Sequence, residues 1–369
     1  MLLPRKLKSH LEVIRFLAYW KIVIMESLLA PRIQYLRSLP RRFLKRVAHI
    51  IACTQSSNRK PDQTELASTK INSQQNFVQP GSPEENQKEL NIQGDPSMSR
   101  LPIVFIHSGN SSYLKYSLAQ AKQSNPQSTV YLLGDSSNDC YGFVEHSAYS
   151  DYFKGASEFS KIYRHFNTTG FHYELFNFQR WFVLKEFLIA KKLERCLALD
   201  SDTMLYADVT EEGKKFEQFD FTLSWNMCGC TFFLNKIEAL ADFCKFVMDL
   251  YTKRDRYHYE KMVAHFAVRK HSHLPGGVCD MTAFQLFSEA HFGDVGEASQ
   301  IINGSVFDPA ISVPHPGFEM SNGIKKIIWR DGYPYGIHVK SRKEIRFNSL
   351  HFQGKAKSLM SQFCTVQVD

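Results

Sequence analysis

From residue 101 onward the chain alternates short apolar runs with amphipathic stretches. "PIVFIHSGN" is an apolar run that ends in small polar residues. "SSYLKYSLAQAKQSN" then has helical spacing, with Ser111 or Ser112 placed to cap its start. "STVYLLGD" predicts a second strand with its own polar end. "FQRWFVLKEFLIAKKL" predicts a strong amphipathic helix that leads into "RCLALDSD", a third strand. Strand, helix, strand in this order predicts parallel α/β units. "FDFTLSW" and "CTFFLN" read as further strands, and "KIEALADFCKFVMDLYTKR" reads as a helix. The segment "GYPYGIHVKSRKEIRFNSLHFQG" is β-rich and hairpin-like. The pattern therefore predicts an α/β domain over residues 101–369, with a mainly parallel sheet flanked by helices and a β-rich C-terminal part.

The first hundred residues follow other rules. Residues 1–52 read as a basic helical segment broken near Pro31 and Pro40. In "LPRRFLKRVAHIIA", Phe43, Leu44, Val47, Ile50 and Ile51 oppose Arg41, Arg42, Lys45 and Arg46. That composition suits a helix lying on an anionic membrane, and equally a solvated helix packing on a partner. Residues 53–100 are rich in Gln, Ser, Asn, Pro and Glu. They hold too few apolar side chains to offset their ordering entropy, which predicts a disordered linker.

Charge sharpens this division. The net charge is +8, yet residues 1–60 hold thirteen Lys or Arg against Glu12 and Glu26 alone. The basic balance thus belongs to the N-terminal segment, and the remainder is slightly acidic. Non-specific nucleic-acid contact by that segment is a weaker alternative, because the α/β part carries no nucleic-acid motif. No run of about 18 uncharged apolar residues predicts a membrane-spanning helix, and no signal-peptide pattern is expected. The eight cysteines are scattered, and Cys228-Gly229-Cys230 lacks a second pair at zinc spacing. They favour a reduced, cytoplasmic setting, and the basic helix, on its membrane reading, would place the chain peripherally on the membrane surface. The sequons at Asn110, Asn167 and Asn303 would matter only in a secretory lumen.

Ligands of open α/β sheets bind beyond the carboxyl ends of the strands. Three predicted strand ends carry polar residues: His107, Ser108 and Asn110; Asp135; and Asp200, Ser201 and Asp202. Together they make one crevice, the candidate cofactor-binding edge. Two carboxylates at i and i+2 repel one another unless a proton or cation intervenes. Their hard oxygens suit Mg²⁺ or Mn²⁺, an ion that also takes phosphate oxygens.

"RCLALDSDTMLYADV" resembles the strand and Asp-x-Asp segment of GT-A-fold nucleotide-sugar glycosyltransferases. "HFQGKAK" resembles the His-x-x-Gly-x-x-Lys motif of their glycogenin-like and lipopolysaccharide galactosyltransferase-like group. The resemblance implies a metal held by Asp200, Asp202 and His351, with Gly354 and Lys357 on the donor diphosphate. It implies a basic Arg180 reaching the donor phosphates or sugar. It also implies that Asp280, at a helix start, holds donor-sugar hydroxyls or acts as a base. Gly229 in "GCTFFLNK" would permit close approach in the acceptor pocket. The chain departs from the group in Ser358-Leu359, where Pro-Trp usually follows the Lys, and in Asp280-Met281, where Asp-Gln is usual. The expected partners are a nucleoside-diphosphate sugar, UDP-linked by preference, and a glycan, lipid-linked or protein acceptor. A sugar-phosphate nucleotidyltransferase is the competing enzyme, but "HSGNSSYLK" lacks its Gly-rich basic loop. A non-catalytic carbohydrate- or nucleotide-binding module is the competing non-enzyme.

Overall fold

The structure, a computed structural model, describes residues 100–368 except residue 292. The basic segment 1–52 and the linker from residue 53 up to residue 99 lie outside the described residues.

The chain lays down β1 (Ile103–Ile106), β2 (Val130–Gly134), β3 (Glu145–Ala148), β4 (Cys196–Leu199), β5 (Thr203–Leu205), β6 (Phe221–Leu223), β7 (Thr231–Leu234) and β8 (Val295–Glu297). Seven of these form one sheet in the order β3-β2-β1-β4-β7-β6-β8. Its β1–β2, β2–β3, β1–β4 and β6–β8 pairs are parallel, while β7 runs antiparallel to both its neighbours. The mixed, mainly parallel sheet is the expected one. The chain moves outward from β1 to β3 and then returns to place β4 on the other side of β1. The strand order therefore switches between β1 and β4, where a crevice opens in sheets of this kind.

Alternation along the strands explains why the sheet is covered on both faces. Cys196 and Ala198 of β4 face one apolar cluster, and Leu197 and Leu199 face the other. The first cluster is filled by the helices Phe171–Lys191, Ile237–Tyr251 and Asp280–Ala290. Leu240, Phe243, Val247 and Leu250 repeat at helical spacing and are buried. Each contributes about 1.5–3 kcal/mol by leaving water. Phe243 stacks on Phe284 at 3.8 Å between ring centroids, and Trp181 meets the same ring edge-on. The helix Phe171–Lys191 stops because Lys192 turns left-handed, at φ 57°, and its N–H closes back on the last turn. The helix Leu114–Ser124 covers the opposite face. It starts after Tyr113 with no side-chain cap. The predicted cap at Ser111 or Ser112 is not made: the Ser111 hydroxyl bonds His107 instead, at 3.1 Å.

The remaining strands are β9 (Ser305–Phe307), β10 (Met320–Ser321), β11 (Ile324–Lys325), β12 (Ile328–Arg330), β13 (Tyr333–Ile337) and β14 (Glu344–His351). A second sheet runs β12-β13-β14-β5, with β9 also pairing β14. It has its own core, including Met204, Phe318, Phe347, Leu350 and Phe352. The β-rich C-terminal part is thus a separate layer, joined to the main sheet where β4 passes into β5.

Candidate metal and donor site

That joint is the Asp200-Ser201-Asp202 loop. It is a tight turn, in which the Thr203 N–H donates to the Asp200 carbonyl at 2.9 Å. Cys230 O accepts from Asp200 N–H at 3.2 Å, and Ser117 Oγ donates to Ser201 O at 2.6 Å. The chain switches sheets here: β4 pairs with β1 and β7 in the main sheet, and β5 pairs with β14 in the second.

The pairing of β5 with β14 sets the chemistry. Thr203 lies opposite His351 in an antiparallel ladder, and Phe352 N–H donates to Asp202 O at 2.9 Å. A slip of one residue would turn the imidazole to the other face of the sheet. In the observed register His351 Nε2 lies 3.2 Å from Asp202 Oδ1 and 3.9 Å from Asp200 Oδ2. One ligand atom from each of the three residues falls within 4.8 Å of the others. The predicted metal set is brought together.

The other imidazole nitrogen is already committed. His351 Nδ1 sits 2.7 Å from the Pro309 carbonyl. A carbonyl only accepts, so Nδ1 carries a hydrogen. Nε2 then meets the carboxylates either with a second proton or with a bare lone pair that a cation must bridge. Burial works against the charged ring. The hydrogen bond to Asp202 and the charges of Asp202 and Asp200 outweigh it and push the ring up to about 10. Burial also works against charge on Asp202, but His351 and then Lys357 bring its carboxyl down to about 2. Two carboxylates and one imidazole within ligand reach fit Mn²⁺ or Mg²⁺.

Lys357 completes the ring of charge from the C-terminal side. Its Nζ lies 3.2 Å from Asp202 Oδ2 and 5.2 Å from the centre of the Tyr113 ring. It stands on a short 3₁₀ helix, Gly354–Leu359. Gly354 opens that helix at φ +60°, and the space its Cβ would point into is open. Its backbone can therefore be approached closely.

Arg180 completes the ring from the helix side. Its guanidinium bonds Asp200 at 2.5 Å and Asp280 at 2.9 Å, and it lies over the Trp181 ring. Burial opposes its charge, but the two carboxylates hold it even more firmly protonated than usual. Asp280 is 4% exposed. Its Oδ2 accepts from both Arg180 and Trp181 Nε1, and its Oδ1 accepts from Met281 N–H at 2.9 Å. Asp280 therefore anchors Arg180, and it sits just inside the helix whose cap is Cys279. Sequence reasoning missed Trp181, although the Arg180-Trp181 dipeptide was in view. Gly229 does permit a close approach, but by Trp181: a Cβ there would stand 2.5 Å from the indole.

The end of β1 joins through a relay. His107 bonds Ser201 Oγ at 2.9 Å through Nδ1. Its pKa is lowered by burial and then by Lys357. Ser108, Asn110 and Asp135 form an adjoining cluster. Asp135 accepts from Ser137, Gly109 N–H and Ser108 Oγ, and these bonds, Ser137 foremost, hold it down at about 2. Tyr141 donates to Asn110 Oδ1 at 2.7 Å. These three residues order the loop after β1, with no direct bond to the three ligand residues among the described residues. A shallow open groove elsewhere, lined by Asp242, Lys245, Phe246 and Asp249, shares no residue with the site.

Neither a protein-family model nor a curated protein matches the chain. Solved structures that resemble it include glycosyltransferases. An active-site mutant of LgtC is 12% identical, over 73% of this chain and 98% of that one, with a TM-score of 0.37. The bifunctional glycosyltransferase WbbM is 10% identical, over 73% of this chain and 50% of that one, at 0.39. The glycosyltransferase GlyE of Streptococcus pneumoniae TIGR4 is 13% identical, over 54% and 45%, at 0.27. These scores are low, and the functional reading below is built on this chain's own residues.

Proposed function

We propose that residues 101–369 form a divalent-metal-dependent glycosyltransferase that takes its sugar from a nucleoside diphosphate, UDP-linked by preference. One observation carries this reading: the Asp-x-Asp loop and His351 converge at the strand-order switch, with Lys357 and Arg180 bonded to the same carboxylates. When bound, Mn²⁺ or Mg²⁺ would supply Lewis-acid stabilisation of the departing diphosphate.

The chain's own residues do the rest. Asp200, Asp202 and His351 would hold the ion. Lys357 brings a fixed positive charge to where the leaving group gains charge, and the exposed Gly354 backbone lets phosphate oxygens come close. Asp280 and Trp181 keep Arg180 in place toward the donor. His107, hydrogen-bonded to Ser201, braces the metal loop. Ser108, Asn110 and Asp135 shape the nucleoside side of the crevice. The acceptor would be a glycan, a lipid-linked sugar or a protein.

The test is donor hydrolysis by the full chain across a panel of UDP- and other nucleoside-diphosphate sugars, with and without Mn²⁺. Release of diphosphate nucleoside that needs the metal supports the reading. Metal-independent turnover, or none with any donor, removes it.

We further propose that residues 1–52 tether this domain to an anionic membrane surface, through the linker 53–100, on the cytoplasmic side. The described cysteines are all free thiols, which suits a reducing compartment. No helix among the described residues is long and apolar enough to cross a membrane. Co-sedimentation with anionic vesicles at low salt tests the tether, and its absence there would remove that part of the proposal.

A further inference from the structure

We propose that the fully buried ion pair Lys325–Asp308 is a positioning device that fixes the tautomer and aim of His351 as a metal ligand. This rests on the metal reading above.

The observation is a short loop clamped around one imidazole. Lys325 and Asp308 side chains have no exposure to solvent, and Lys325 Nζ lies 2.5 Å from Asp308 Oδ1. The same ammonium donates to the Ala310 carbonyl at 2.6 Å. Lys325 thus grips the residues on either side of Pro309. The Pro309 carbonyl lies in the peptide plane that runs into Ala310, so holding Asp308 and Ala310 on either side sets its direction, with Cys230 Sγ 4.0 Å from the same oxygen. That carbonyl is the acceptor for His351 Nδ1. Asp308 Oδ2 also accepts from the His351 N–H at 3.2 Å, and Ile311 N–H donates to the His351 carbonyl at 2.9 Å. Lys325 N–H closes the frame on Ile311 O at 2.8 Å.

An apolar pair of similar volume could fill this space at no loss of stability. What an apolar pair could not do is hold the Pro309 carbonyl against Nδ1. With Nδ1 bearing its hydrogen, Nε2 is left to face Asp200 and Asp202 as a donor atom. Partners of this kind on the far nitrogen of a ligating imidazole typically carry a tenfold to hundredfold share of metal affinity.

The experiment compares the full wild-type chain with K325M/D308N, which removes both charges at nearly constant volume. Mn²⁺ affinity is read from the paramagnetic resonance signal of the free ion, with the melting temperature of each ion-free chain beside it. The expected result is a roughly tenfold to hundredfold loss of Mn²⁺ affinity. In addition, ¹⁵N-histidine spectra of the Mg²⁺-loaded wild type should show His351 protonated at Nδ1, and that preference should be lost in the variant. A merely structural role would lower the melting temperature and leave both readouts alone. If the double variant does not fold, Asp308→Asn alone, which keeps the volume and one acceptor oxygen, carries the same two measurements. Affinity within about twofold of wild type, or an Nδ1 without hydrogen in the loaded wild type, overturns the proposal while the metal reading stands. Wild type that binds no Mn²⁺ removes both.

Discussion

Two carboxylate clusters meet the strand β14, and they are opposites. At one, Glu212 accepts from Arg346 at 2.9 Å, Lys215 at 2.5 Å, Asn348 at 2.7 Å and Ser305 at 3.1 Å. A single carboxylate is met by two cations and two neutral donors, and nothing is left for a ligand to do. At the other, Asp200 and Asp202 face an imidazole whose second nitrogen is already committed to Pro309. Asp280 draws on the same Arg180. Three carboxylates there share two permanent cations, Arg180 and Lys357. The Glu212 cluster bolts the helix Val209–Gly213 to the second sheet. The Asp cluster balances its third carboxylate only with a proton on His351, which a cation can replace, and it lies where the strand order switches. A buried charge saturated by fixed donors holds a fold together; one balanced by an exchangeable proton is shaped for something that arrives.

This contrast can be broken experimentally. The largest effect is expected for Asp202→Asn, with transferase or donor-hydrolysis activity down about 10³-fold, or about 4 kcal/mol of transition-state stabilisation. Calorimetric Mn²⁺ binding should vanish while circular dichroism stays native. Glu212→Ala should do the reverse: it leaves Arg346 and Lys215 without their partner and costs about 3 kcal/mol in urea unfolding, with Mn²⁺ affinity preserved. If both variants lose stability and neither loses metal, the distinction between the clusters is wrong. Lys357→Met should lower kcat by about a hundredfold, with a smaller change in Mn²⁺ affinity, in steady-state assays at saturating ion.

The pH dependence follows in size. Ion binding must expel the proton that Asp202 and Asp200 hold on His351 up to about 10. Mn²⁺ affinity should therefore rise toward alkaline pH, by up to about tenfold per unit between pH 6 and 8. In the ion-free chain the raised pKa stabilises the fold fully below about 6.5, and that contribution is lost as pH climbs through about 10. Thermal melts without ion should show this sign, and His351→Gln should flatten it. The smallest effect is Gly354→Ala. A side chain at φ +60° costs about 1–2 kcal/mol of backbone strain, visible as a lower melting temperature and a higher donor KM.

The elements that could be read from the sequence were those whose signal is local. Runs such as Cys196–Leu199 are apolar on both faces and end in acids, so the strand, its burial and its exposed end are visible together. His351, Gly354 and Lys357 fall in one short motif, and they could be found by resemblance. The β5–β14 register was not legible, because Thr203 and His351 are paired by distant segments whose pattern fits more than one alignment. Trp181 was passed over because an indole on an apolar helix face looks like core packing, which it also is. The failed cap shows competition between partners: Ser111 had a choice between its own helix and His107, and only three-dimensional proximity decides it. Lys325 and Asp308 are seventeen residues apart and lie in segments with no shared period.

The candidate metal site is closed by a strand that the ribosome delivers long after the acids. While β5 waits without β14, the nascent chain has Asp200 and Asp202 but not His351, so the three-residue set is incomplete. Competence would arrive at one moment, when the final hairpin zips onto β5. On the proposed function, an unfinished or clipped polypeptide would stay silent, and activity would double as a certificate that the whole second layer has been built.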